Sequence, residues 1–132
     1  MMTPHLIELP KKLDKRGNLS IIEEFKNIPF KIARVSWIYD VPGGETRGGH
    51  AYYENEEFIV ALSGSFDVVV NNGKEEIKYS LNRSYYGLYV PNGLWRQMEN
   101  FSTNSLALVC ASTVYNADDY IYDFEKFLQM NL

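Results

Sequence analysis

The chain holds one cysteine, two histidines and no excess of positive charge, and each shortage narrows what it can be. A lone cysteine excludes an internal disulfide. Its place in the apolar run SLALVCASTVY makes Cys110 a reduced core thiol. A formal charge of −4 excludes a surface whose overall field attracts nucleic acid. An anionic ligand then needs a local cluster, for which five arginines are available. No stretch approaches the roughly 20 apolar residues that span a bilayer. The N-terminus MMTPHLIELPKK lacks the apolar core and cleavage site of a signal peptide. These absences predict a soluble, cytoplasmic chain with neither a membrane nor a nucleic-acid partner. Linkers, repeats and low-complexity segments are also missing, so one domain is expected over residues 1–132.

What is present is a succession of short β runs separated by turn residues, the pattern of a sandwich or barrel. Strands are expected at 19–25, 31–40, 58–64, 86–90, 94–98 and 105–115. A hairpin is expected over 66–81, because Asn71-Asn72-Gly73 supplies residues that accept positive φ. In KIARVSWIYD, alternation places Val35, Trp37 and Tyr39 on one face and Arg34, Ser36 and Ile38 on the other. The run FIVALSG is continuously apolar, as for a strand covered on both sides. Asn116 with Asp119 three residues on reads as a helix cap. Tyr120, Ile121, Phe124, Phe127 and Leu128 then recur at helical spacing, predicting an amphipathic C-terminal helix.

Chemistry concentrates between Gly44 and Gly64 and again in PNGLWRQMEN. Gly44, His50, Glu57 and Gly64, then Pro91, Gly93 and Asn100, fall in the register of a metal-binding cupin. Two of the four ligand positions of that pattern are different, however: Tyr52 and Arg96 stand where histidines would be. An arginine stays protonated and has no lone pair to give a metal, and two remaining donors fall short of the usual three or four. Neither a metal nor another cofactor is therefore expected. His50 follows Arg47-Gly48-Gly49, where two glycines allow a sharp bend, and its imidazole can take and return a proton. It reads equally as a former ligand position now held by a structural hydrogen bond. Tyr52, two residues on, shares its strand face. It either donates a proton or hydrogen bond, or fills the space a metal would take. Glu57 either orients His50 or bonds a substrate hydroxyl. Arg96 should point inward, and a buried guanidinium needs Glu57 or an anionic ligand as partner. Arg47, tied to the histidine segment, is suited to grip a diphosphate. Arg16 is a further cation that could join it, and Trp37 and Tyr39 are aromatic surface on which a base could stack.

With these residues the chain resembles the nucleotide-sugar 3,4-ketoisomerases, the WxcM-like branch of the cupin superfamily. The resemblance rests on Asp14, Arg16, Gly17 and Leu19, on Glu23 to Phe30, on RGGHA, on GLYVP with the following Trp95, and on the tail from Ala111 to Ile121. It implies an all-β, double-stranded β-helix fold, assembled as a homodimer with strands exchanged between subunits, and no metal. It implies a dTDP-linked 4-keto-6-deoxyhexose as substrate and a histidine, here His50, that carries a proton between C3 and C4 through an enediol. Many members have a second histidine where this chain has Tyr52, and a tyrosine pair where it has Ser36-Trp37. The alternative from a different class is a binding protein that holds a nucleotide sugar or related anion without turnover.

Overall fold

The computed structural model describes residues 3–131, so Met1, Met2 and Leu132 lie outside the description, the first two being part of the N-terminal run read above. Among the described residues twelve strands form: β1 (His5–Glu8), β2 (Lys11–Lys12), β3 (Leu19–Ser20), β4 (Arg34–Ile38), β5 (Arg47–Tyr52) and β6 (Glu57–Ser63), then β7 (Phe66–Asn71), β8 (Glu76–Leu81), β9 (Tyr86–Val90), β10 (Trp95–Glu99), β11 (Leu106–Ala111) and β12 (Tyr120–Ile121). A short helix, α1 (Phe124–Met130), follows. One five-stranded sheet runs β1-β9-β6-β11-β4, the other β12-β5-β10-β7-β8, and β2-β3 is a separate ribbon. No helix among the described residues is long and apolar enough to cross a membrane.

Strand alternation explains the layering. In β6, Ile59 and Ala61 face the opposite sheet and pack with Val68, Val70, Leu88, Met98 and Val109. Phe58 and Val60 point the other way, where Leu9, Ile28 and Phe30 cover them. Both faces of this strand are buried, in agreement with its unbroken apolar run. On the outside of the second sheet, Ala51, Trp95 and Ile121 are covered by Phe127 of α1.

Three local expectations are corrected. The strand expected at 19–25 stops after Ser20. The chain instead turns, with Phe25 at φ 62° and the Asn27 side chain accepting the Glu23 amide, and lays Ile28 and Phe30 onto the sheet. The 66–81 hairpin forms, but of its turn residues only Gly73 takes positive φ. The Asn71 and Asn72 side chains accept amides of residues 73–75 instead. Last, Asn116 caps a 3-10 turn at Ala117–Asp119 rather than the helix, and the helix cap is Asp123. Tyr120 and Ile121 are drawn into β12 because their backbone pairs with Tyr52 and Ala51. A strand partner distant in sequence has overridden the helical spacing.

Candidate active site

The site sits at one end of the space between the sheets, where β5 and β10 change register. Arg96 pairs with His50, and Met98 with Arg47, so three steps along β5 match two along β10. This is a bulge, and Gly48 absorbs it at φ 77°. A Cβ at Gly48 would sit on Arg96 Nη1 and against His50 Cε1, so the bend also lets the guanidinium approach. The Asp119 carboxylate accepts the Glu54 and Asn55 amides, at 2.8 and 3.1 Å, holding the loop that leads to Glu57. Asn55 Oδ1 in turn accepts the amides of Ser112 and Thr113 at the end of β11.

Four of the residues singled out from sequence meet in one buried chain of contacts. Arg96 donates from Nε to Glu57 Oε1 at 2.7 Å and from Nη2 to Oε2 at 2.9 Å. The Tyr52 hydroxyl donates to Glu57 Oε2 at 3.3 Å and lies 2.9 Å from His50 Nε2. Arg96 is 5 % exposed, Glu57 3 % and His50 8 %. Burial alone would raise the Glu57 carboxyl, but the charge of Arg96 and its hydrogen bonds outweigh it and hold the group below the ordinary carboxylate value. Burial would likewise lower Arg96, and Glu57 raises it. The Tyr52 phenol is pushed up by burial and then by the Glu57 charge. Burial, then the Arg96 charge, lowers the His50 imidazole to about 4, with Glu57 opposing and Arg34 adding to the fall. His50 is therefore neutral at neutral pH.

These groups border a cavity of about 370 Å³, whose wall also includes Arg34, Arg47, Tyr115 and Tyr120. Neither Arg34 nor Arg47 forms an ion pair among the described residues. His50 Nδ1 has no hydrogen bond among them either, yet it is not sealed off, so it opens on the cavity. A larger hollow of about 760 Å³ lies against α1, but no histidine or arginine lines it.

The sequence-predicted residues divide. His50, Tyr52, Glu57, Arg96 and Arg47 gather at the cavity. Trp37 touches its border but lies mostly on the outer face of β4, 59 % exposed. Within one chain the structure does not bring Tyr39 or Arg16 to the cavity. Tyr39 lines a separate hollow, because alternation turns it outward, and Arg16 lies exposed on a turn, paired with Asp14 at 2.8 Å. Arg96 is already committed to Glu57, which leaves Arg34 and Arg47 as the cavity's unpaired cations. Alternation put Arg34 on the face opposite Trp37, but nothing in the sequence said which face turns inward or placed Arg34 beside His50. Tyr120 was missed because its segment was read as helix.

Fold and site together define a two-sheet β protein with a neutral imidazole, a buried ion pair and two unpaired arginines around one cavity. Among the described residues no cluster of three or more histidine, cysteine, aspartate or glutamate side chains could hold a metal. The chain belongs to the family described as WxcM-like, C-terminal (FdtA), whose family model matches residues 2–131. It is 40 % identical over 126 residues to TDP-4-oxo-6-deoxy-alpha-D-glucose-3,4-oxoisomerase of Aneurinibacillus thermoaerophilus, covering 96 % of this chain and 91 % of that one. A 3,4-ketoisomerase from Helicobacter canadensis superposes with a TM-score of 0.95 at 38 % identity, covering 99 % of this chain and 98 % of the other. The 3,4-ketoisomerase QdtA from Thermoanaerobacterium thermosaccharolyticum, solved as an asparagine-for-histidine variant with TDP-4-keto-6-deoxyglucose, gives 0.95 at 31 % identity, covering 99 % and 95 %.

Proposed function

We propose that the protein is a 3,4-ketoisomerase of a TDP-linked 4-keto-6-deoxyhexose, working by proton transfer through an enediol. The observation that carries this reading is a neutral, buried His50 opening on a cavity that holds two unpaired arginines. A neutral imidazole can remove the C3 proton. The C3–H electron pair becomes the C3–C4 double bond while the C4 carbonyl oxygen takes up a proton, giving the enediol. The imidazolium then returns its proton to C4, and the C3 hydroxyl loses its proton as C3 becomes the carbonyl. One carbon-bound and one oxygen-bound proton have moved, and no oxidant or cofactor is consumed. Arg34 and Arg47 suit the diphosphate, since a guanidinium pairs with phosphate oxygens through charge-assisted hydrogen bonds. Glu57 and Arg96 serve each other first and support the site from behind. Trp37, Tyr39 and Arg16 would reach a ligand only where it extends beyond the cavity of one chain.

The architecture is read as a double-stranded β-helix of cupin type over one domain, and the working unit as a homodimer. Val35 and Trp37 project from the outer face of β4 and Tyr39 follows its end, 46, 59 and 62 % exposed, and Leu62 of β6 is also exposed. Such an apolar surface is usually covered by a second copy. Among the described strands β4 pairs only with β11, so its other edge offers free backbone groups for strand exchange. A free buried thiol at Cys110 fits a cytoplasmic setting.

Solvent deuterium tests the reaction. The wild type should place deuterium at C3 of TDP-4-keto-6-deoxyglucose and form the 3-keto isomer. His50→Asn should bind the substrate and lose exchange by about a hundred- to ten-thousand-fold. Binding with neither exchange nor formation of the 3-keto isomer by the wild type would leave only the non-catalytic reading, and near-normal exchange by His50→Asn would remove His50 from its role.

A further inference from the structure

Resting on the isomerase reading, we propose that Tyr52 is a positioning residue. It relays the Glu57–Arg96 ion pair to His50, holds the imidazole as its Nε2–H tautomer, and so makes Nδ1 the nitrogen that carries the carbon-bound proton.

The protons available to these buried contacts can be counted. Glu57 has both oxygens engaged by Arg96, at 2.7 and 2.9 Å, and is a carboxylate that can only accept. Tyr52 has a single hydroxyl proton and two neighbours, Glu57 Oε2 at 3.3 Å and His50 Nε2 at 2.9 Å. Were that proton given to His50, the phenol oxygen would face the carboxylate with no hydrogen between them, and a buried lone-pair contact of that kind is costly. Both contacts are hydrogen bonds only if Tyr52 donates to Glu57 and His50 donates Nε2–H to Tyr52. The Tyr120 ring stands beside Tyr52, centroids 4.7 Å apart, and its hydroxyl, itself a donor, has no need of the Tyr52 proton. The lone pair of the imidazole is then on Nδ1, the nitrogen that opens on the cavity.

The surroundings keep the ring in this attitude. Tyr120 and Tyr122 stand 5.2 and 5.9 Å from it, centroid to centroid, and Gly48 leaves no side chain behind it. The charged groups that act on it are Arg96 and Glu57 through the relay and Arg34 from β4. During turnover Nδ1 takes the C3 proton and returns it to C4, while the Nε2–H bond stays intact. Its hydrogen bond to Tyr52, and through Tyr52 to Glu57, steadies the transient imidazolium. Tyr52 needs to touch no substrate atom for this. A histidine at the same position, with one donor and one acceptor nitrogen, can play the same part, whereas phenylalanine cannot.

Nitrogen-15 NMR of the ligand-free full chain, with labelled histidine, reads the tautomer without any turnover. The wild type at neutral pH should show His50 protonated at Nε2 and bare at Nδ1. Tyr52→Phe should lose that preference and lower kcat by about ten-fold or more, with KM changed by less than about two-fold, and Tyr52→His should restore both. A wild-type His50 protonated at Nδ1 would overturn the proposal, and so would a folded Tyr52→Phe with unchanged tautomer and kcat. Should Tyr52→Phe fail to fold, the wild-type spectrum decides. An Nε2–H spectrum in a wild type that never turns over TDP-4-keto-6-deoxyglucose would refute the isomerase reading while leaving the tautomer assigned.

Discussion

Replacing Glu57 by glutamine removes one charge from the site with almost no change of shape, and the consequence follows from what is left behind. The Arg96 side chain is 6 % exposed and cannot lose its proton. The substituted glutamine would still accept the Nε–H through its carbonyl, but its amide would then point at Nη2, donor against donor. A buried charge stripped of its partner typically costs about 3–5 kcal/mol. For a chain of this length that is a fall in Tm of roughly 10–20 °C. Because arginine does not titrate, the loss should not depend on pH between about 5 and 8. Arg96→Met leaves the opposite orphan, which has an escape: Glu57 can take up a proton. From an ordinary carboxyl value of 4.5 that costs at most about 3 kcal/mol at pH 7. This ceiling drops by about 1.4 kcal/mol for each unit that the pH falls. With both substitutions together, no charge is left unpaired and stability should recover to well above that of Glu57→Gln. Urea unfolding of the three variants and the wild type at pH 5 and 7 measures all of this. A loss below about 1 kcal/mol for Glu57→Gln, or a double variant no more stable than it, would refute the energetic account of the pair.

His50 sets a pH dependence whose sign is fixed by burial. Its folded value is about 4 against an ordinary 6.5, so the unfolded chain binds the proton first. The stability that this contributes is complete above 6.5 and declines as the pH falls toward 4, by about 3 kcal/mol in all. The acid limb of kcat/KM should likewise fall near 4 rather than near 6.5, and a limb at 6.5 would contradict the buried, neutral imidazole. For assembly, light scattering should give about twice the chain mass of 15.3 kDa for the wild type and the single mass for Trp37→Glu. A wild type at the single mass across the micromolar range would count against the dimer.

The parts of this protein that were legible in its sequence are those set by short-range geometry. The two-residue period of a strand put His50 and Tyr52 on one face and Trp37 opposite Arg34 before any fold was known. The unbroken apolar run of β6 announced a strand covered on both sides. Side-chain chemistry alone required a partner for Arg96 and denied it a place among metal ligands. What the sequence could not determine is which of two acceptable partners Arg96 takes, because Glu57 lies 39 residues away and only the crossing of β6 and β10 brings the two within 2.7 Å. The same holds for Arg34, one of several lone arginines in the sequence, which gains its meaning from a cavity lined by residues of six strands. Tyr120 shows the limit most plainly. Its helical spacing was a real local signal, but pairing with β5 satisfies its backbone and places its ring beside His50, and hydrogen bonds across a sheet do not register in the order of residues along a chain.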